Sequence, residues 1–265
     1  MKLLLVGSGR AARALGPRWA GAGHEVMTWS RQDGPLNAAP AAEVGILAVP
    51  DALIGEVATA LRERAAASSE IWLHLSGVHP ASVLRGDTAQ APRAVGCLHP
   101  LVALAPGADP TGACAGIEGE PAACLIAAQL ARDAGLVPHA IPAERALYHA
   151  AAVTVAGHAT ALFAQAMSLF EAAGFTPEAA RAALQPLFLS AAANLARGAP
   201  AAVITGPASR GDVATVARHL AALEAHGDEA VLDVYRRLGQ EALHLSQARL
   251  DPVVAIQLEA LLQAR

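Results

Sequence analysis

The first thirty residues narrow the possible folds of this chain more than any other stretch. In KLLLVGSGRAARALGPRWAGAGHEVMTWSR, an apolar run over residues 2–6 leads into Gly7-x-Gly9-x-x-Ala12. A helix-forming stretch follows over 11–22, and a second apolar run covers 25–29. Short apolar runs bounded by glycine read as strands and the alanine-rich piece between them as a helix, so the chain opens strand, helix, strand. Each small residue has a task in such a turn. Gly7 permits the tight bend, Gly9 lets backbone approach a pyrophosphate, and Ala12 lets the helix lie close on the strand. The helix start then presents unbonded N–H groups and the positive end of its dipole to an anion. Gly7, Ser8, Gly9, Arg10, Ala11 and Ala12 are therefore the expected phosphate loop of a dinucleotide site.

The second strand ends Thr28-Trp29-Ser30-Arg31, with no acid at the point where a ribose 2′-hydroxyl is usually held. A hydroxyl and a guanidinium there suit a 2′-phosphate, so NADP is expected rather than NAD, with Ser30 and Arg31 as its contacts. The competing reading leaves Arg31 solvated or stacked on the adenine. Further apolar runs over 43–51, 70–77 and 93–100 stop at polar or turn residues, with helix-like stretches over 52–67 and near 80–84 between them. Those stops are expected at the carboxyl ends of parallel strands, where open α/β sheets bind ligands. Val49 and Pro50 would border the cofactor ribose, and Asp51 is expected to cap the helix that follows. A strand-like piece over 115–118, a helix over 121–134 and GLVPHAIP complete this half.

From about residue 143 strand signals all but vanish. Residues 143–173 read as one alanine-rich helix ending at Gly174. Thr176-Pro177-Glu178, Asp212 and Asp251-Pro252 each read as a helix start. The expected fold is α/β, with a Rossmann-type, mainly parallel sheet over 1–142 followed by a separate all-helical domain over 143–265.

Composition removes several function classes. A hydrophobic share of 54% against 16% charged residues describes a globular chain, and a net charge of −4 with no basic cluster beside aromatic residues gives no footprint for nucleic acid. The run after Lys2 is too short for a signal-peptide core. The alanine-rich stretches are broken by His, Glu, Arg, Gly and Pro, so no membrane span and a cytoplasmic location are expected. Cys97, Cys114, Cys124 and the histidines show no ligand spacing, and no metal is assigned. Lys2 is the only lysine, which leaves no internal lysine to act as Schiff base or proton donor.

Six motifs recur in a fixed order: SG at 76–77, HPL at 99–101, IEG at 117–119, YHAAAV at 148–153, LQPLFLSAAAN at 184–194 and TGPASRGD at 205–212. Together they resemble the Rossmann-like proteins that carry a C-terminal domain of unknown function, DUF2520. The resemblance spans nearly the whole chain. It implies a dinucleotide-binding domain followed by a helical domain similar to those of 6-phosphogluconate dehydrogenase, pyrroline-5-carboxylate reductase and ketopantoate reductase, commonly a homodimer. One departure stands out: Gly157-His158 occupies the place where an asparagine is expected, eight residues after the histidine of YHAAAV.

Reduction of a carbonyl or imine needs a reduced nicotinamide, a group that polarises or protonates the acceptor, and a holder for the substrate. A ketopantoate reductase would use a lysine in its helical domain, and this chain has none there. His149 is the candidate proton donor or substrate ligand, or else a structural pin at the domain junction; an imidazole can donate a proton near neutral pH. His99 and Ser76 stand at strand ends and would either face the cleft or hold turns. Arg210 would clamp a substrate carboxylate or pair with Asp212, and Asn194 would touch substrate or bridge helices. The expected activity is NADP-dependent reduction of a small 2-oxo acid or imine at the domain interface, ketopantoate-like reduction being the most concrete case. The alternative is a non-catalytic NADP(H)-binding sensor or scaffold. The expected partners are a small-molecule substrate and a second copy of the chain, since alanine-rich helices with few charged faces leave apolar surface uncovered.

Overall fold

The computed structural model describes residues 1–63, 70–85 and 91–263. The chain forms two compact units, Met1–Ala159 and Thr160–Arg265.

The first unit is built on a seven-stranded sheet of β1 (Lys2–Val6), β2 (Glu25–Trp29), β3 (Val44–Leu47), β4 (Ile71–His74), β5 (Ala94–Pro100), β6 (Cys114–Gly119) and β7 (Val137–Ala140). Their spatial order is β2-β1-β3-β4-β5-β6-β7. The first five run parallel. β6 runs antiparallel to β5, and β7 is parallel to β6. The expectation that strand ends share one edge therefore holds only as far as β5: the chain reaches β6 without a crossover helix, and a parallel step needs one.

Helices α1 (Arg10–Gly21), α2 (Ile54–Arg62) and α3 (Pro121–Asp133) cover the sheet. Alternate residues of β1 show why both faces must be covered. Leu3 and Leu5 join one core with Ala12, Leu15 and Trp19 of α1 and with Leu130 of α3, whereas Leu4 and Val6 join another with Ile54, Ala58 and Leu61 of α2. A strand buried on both faces reads as a continuous apolar run, which is what LLLV is. The Trp19 indole N–H also donates to the Leu130 carbonyl at 2.8 Å, tying α1 to α3. Glycine is required where the sheet carries its largest side chain. Gly45 stands opposite Trp72 in register, and a Cβ at Gly45 would lie 2.2 Å from the buried Trp72 ring.

Asp51 does not cap α2. It opens a 3-10 turn, Asp51–Leu53, and α2 begins at Ile54 with no side-chain cap, because the turn uses up the residues a cap would need. Of the helix expected over 52–67, residues 64–67 lie outside those described.

The helix expected over 143–173 is α4 (Arg145–Val153), a π-turn (Thr154–His158) that contains Gly157 and His158, and α5 (Ala159–Ala172). The first compact unit extends through this π-turn to Ala159, and α4 is fastened to the sheet: Arg145 pairs with Glu118, and the Tyr148 hydroxyl meets His99 at 2.8 Å. The run Arg145–Ala172 is more apolar than expected. By length and composition it could cross a membrane, with a mean hydropathy of 1.3 over an 18-residue window that is not buried within the chain. The histidines and Gly157 interrupt it less than expected, since alanine, valine, leucine and phenylalanine outweigh them.

In the second unit, α5 is followed by α6 (Pro177–Leu195), the short α7 (Pro200–Val203) and α8 (Pro207–Arg210), then α9 (Val213–His226), α10 (Glu229–Ser246) and α11 (Pro252–Gln263). The expected starts are real. Thr176 accepts from the Ala179 N–H, Asp212 from Thr215, and Asp251 from Val253. Val216, Leu220, Val231, Leu243, Leu258 and Leu262 form the core of α9 to α11. By contrast Leu187, Phe188, Leu189 and Leu195 of α6 are exposed.

Candidate functional site

β1 is flanked by β2 on one side and β3 on the other, so the strand order reverses there, and such a reversal opens a crevice at the carboxyl edge. A cavity of about 720 Å³ occupies that edge. Gly7, Ser8, Gly9, Val49 and Pro50 line it as the sequence implies, together with Ser30 and Arg31. Gly7 has φ 119°, and a Cβ on it would lie 2.3 Å from the Ala48 carbonyl oxygen, so only glycine lets the β1 and β3 ends approach this closely. Gly9 is different. Its Cβ position is open, with only the Ala48 oxygen at 3.8 Å, and it is the N-cap of α1 with no side-chain cap. The first N–H groups of α1 are thus left for an anion, as a pyrophosphate requires. Arg10 and Ala11 sit in that first turn without lining the cavity. Ala12 is buried in the core and packs the helix rather than touching a ligand.

The acid that β2 lacks is supplied by the next turn. Asp33 accepts from both the backbone N–H of Ser30 at 2.8 Å and its hydroxyl at 2.7 Å, and the hydrogen bonds from Ser30 hold the carboxyl below its ordinary pKa. The Ser30 hydroxyl is therefore spent on Asp33. Arg31 is exposed, borders the cavity and has no side-chain partner among the described residues. The reading missed Trp29, whose buried indole N–H is unpartnered at the same cavity, and the wall supplied by Leu53, Glu56 and Val57. A tryptophan closing β2 was the available signal.

A second cluster stands at the carboxyl end of β4 and β5. His99 and His149 lie with ring centroids 5.8 Å apart, and Gly77 sits between them: a Cβ there would be 2.5 Å from His149 Cδ2 and 2.6 Å from His99 Cε1. Tyr148 closes the cluster through its bond to His99 Nδ1, and it fits because Gly116 has no side chain to meet its hydroxyl. Burial, then the neighbouring His149 and Arg145, push the His99 pKa down to about 4. Burial raises that of Tyr148 to about 12. Both groups are therefore neutral at physiological pH, and with the proton on His99 Nε2 the Tyr148 hydroxyl donates to Nδ1.

Arg145 organises the floor. It forms an ion pair with Glu118 and donates to the Gly77 carbonyl at 3.2 Å. Ser76 is 4% exposed, and its hydroxyl accepts from the N–H groups of Val78 and His79, so it holds the turn that carries Gly77. The His79 ring in turn donates to the Asp51 carbonyl at 3.1 Å, linking this turn to the residue after Pro50. Burial raises the Cys97 thiol to about 11, which makes it an inert neighbour. Glu118, Arg145 and Gly77 lay inside the recognised motifs or beside them but carried no role in the sequence reading; their roles follow from a strand pairing the sequence does not display.

Arg210 and Asn194 belong to the second unit. The Asn194 side-chain oxygen accepts from Arg197 at 3.4 Å, within its own chain turn. Arg210 forms no ion pair with Asp212, whose carboxylate is used at the start of α9, and it borders a separate hollow of about 450 Å³.

Residues 113–242 match a family model described as a domain of unknown function, DUF2520. No curated protein sequence matches the chain. Among solved structures, a Bacteroides fragilis protein described as a presumptive NADP oxidoreductase is 20% identical with a TM-score of 0.76, covering 92% of this chain and 98% of that one. A Plasmodium falciparum pyrroline carboxylate reductase with NADP bound is 11% identical with a TM-score of 0.59, covering 98% of both chains. A Streptomyces aurantiacus imine reductase is 20% identical with a TM-score of 0.56, covering 100% of both. At these identities the likeness is one of fold. The motif order and the family match agree: the fold is Rossmann-like, and residues 113–242 are similar to the DUF2520 domain.

Proposed function

We propose that the protein is an NADP-dependent oxidoreductase that reduces a small 2-oxo acid or imine. The observation that carries this reading is the packing of His99, Tyr148 and His149 around Gly77, in the same unit and at the same strand edge as the phosphate-binding crevice. Gly7, Ser8 and Gly9 with the first N–H groups of α1 would hold the pyrophosphate, Arg31 the 2′-phosphate, and Val49 and Pro50 a ribose. When bound, the reduced nicotinamide supplies the hydride. His149 has no hydrogen-bond partner among the described residues, so its ring nitrogens are free to hold the substrate or to give it a proton. His99 is a positioning residue, locked by Tyr148 on one side and Gly77 on the other. The NADP oxidoreductase, imine reductase and pyrroline carboxylate reductase among the structural relatives support this class and lend weight to its imine branch.

The protein is further proposed to act as a homodimer through the helical half, where the apolar side chains of α6 stand exposed.

A panel of 2-oxo acids and cyclic imines, followed by NADPH absorbance, tests the activity. With an active substrate, His149→Ala is expected to cost a factor of about 10² to 10⁴ in rate at unchanged NADPH affinity. NADPH binding with no turnover on any panel member would instead favour the sensor reading. A variant that melts lower yet turns over normally would make His149 a structural pin.

A further inference from the structure

The second unit has a feature that the reductase reading does not use. Ile204, Thr205, Ser209, Arg210, Arg249 and Leu250 surround a hollow of about 450 Å³, a size in the range of small-molecule sites. Its two arginines come from different elements. Arg210 ends α8, and Arg249 ends the 3-10 turn Gln247–Arg249 that follows α10.

Among the described residues neither guanidinium has a hydrogen bond or an ion pair, and the Thr205 hydroxyl is likewise unpartnered. The acids close by in sequence make no ion pair with either arginine, although the Asp212 charge still acts on Arg210. Asp212 accepts from the Thr215 N–H at 3.0 Å and Asp251 from the Val253 N–H at 2.8 Å, each starting a helix. Ser209 is also occupied, with its hydroxyl donating to the Gly206 carbonyl at 2.9 Å.

The rim is held in place by packing. Gly211 takes a left-handed conformation at φ 78°, and a Cβ there would meet Val254 at 3.0 Å and Leu250 at 3.4 Å, so the α8 turn lies directly against the segment that carries Arg249. Two like charges sharing one concavity repel unless an anion lies between them, and a guanidinium matches a carboxylate or phosphate through two parallel N–H donors. The apolar walls, Ile204 and Leu250, leave room for a short carbon chain.

We infer that this hollow binds a small dianion, a phosphate ester or a dicarboxylic acid, with one acidic group on Arg210 and Arg249 together and Thr205 as a neutral donor. The binding claim stands on the second unit alone.

Calorimetry on the full chain at low ionic strength, with inorganic phosphate and with succinate as separate probes, tests it. The expected result is saturable one-site binding of at least one probe, weakened roughly ten-fold or more in R249Q and R210Q. R249K should recover only part of the loss, because the charge returns without the fork. Raising the salt should weaken binding further. Tighter binding of phosphate identifies a phosphate ester, and tighter binding of succinate a dicarboxylate. No binding of either probe, or binding that R249Q leaves unchanged, overturns the inference. NADPH titration of the unmutated protein separates the two readings: no anion binding with intact NADPH binding sinks the anion site alone, and anion binding without NADPH binding sinks the reductase.

Discussion

Replacing Gly77 with alanine should damage the histidine cluster in a way that can be worked out beforehand. The added methyl would stand 2.5 Å from His149 Cδ2, 2.6 Å from His99 Cε1 and 2.8 Å from His99 Nε2, each about an ångström inside ordinary contact. His99 cannot easily yield, since its other nitrogen is bonded to Tyr148 at 2.8 Å. The Gly77 carbonyl is also held by Arg145 at 3.2 Å, so the backbone resists as well. His149 has no such tether and should be the ring that moves. Overpacking of this kind costs about 1–3 kcal/mol, and about 2–4 °C in melting temperature follows from each kcal/mol in a domain of this size. Thermal melting measures the cost, and histidine ring resonances followed by NMR show which imidazole is displaced. A variant that melts with the unmutated protein and leaves both rings unshifted would refute the packing described around Gly77.

Arg31→Ala should weaken NADPH more than NADH, because its guanidinium borders the cavity without a partner while Asp33 occupies Ser30; equal calorimetric affinities for the two cofactors in the unmutated protein would remove Arg31 from the site. Acid should destabilise the first unit through His74 and His99, both held down to about 4 chiefly by burial. Between about pH 4 and 6.5 the unfolded chain binds protons that the folded one refuses, so stability rises with pH through this window, by at most about 1.4 kcal/mol per pH unit for each histidine. Melting curves at a series of pH values check this, and His99→Gln should flatten the slope. Light scattering at micromolar concentration should report a dimer, and a monomer would count against the proposed role of the exposed α6 face.

Much of the first unit was legible because its signals are local. LLLV before Gly7 had to be a strand buried on both faces, and Thr176, Asp212 and Asp251 announced their helices by hydrogen bonds that span only two or three residues. What escaped depends on distant partners. Asp51 looks like a cap until its turn is seen, and nothing in IEG shows that β6 reverses direction and so brings Glu118 to Arg145. Asp33 escaped for a subtler reason: the reading ended at the strand, two residues short of a carboxylate that folds back onto Ser30. Arg249 carried no motif, and only the fold of the second unit sets it beside Arg210.

The pairing of Gly45 with Trp72 has a consequence for how this sequence can drift. Almost any side chain at position 45 collides with the indole, and shrinking Trp72 alone leaves a void in a core that also contains Leu4 and Val95. Each single step should cost roughly 1–5 kcal/mol, whereas a joint change that trades ring volume for a methyl could recover much of the loss. The two positions are thus expected to be epistatic, with replacements tolerated as pairs. A double-mutant cycle with Gly45→Ala and Trp72→Phe should return a coupling of about 0.5–3 kcal/mol in favour of the double variant.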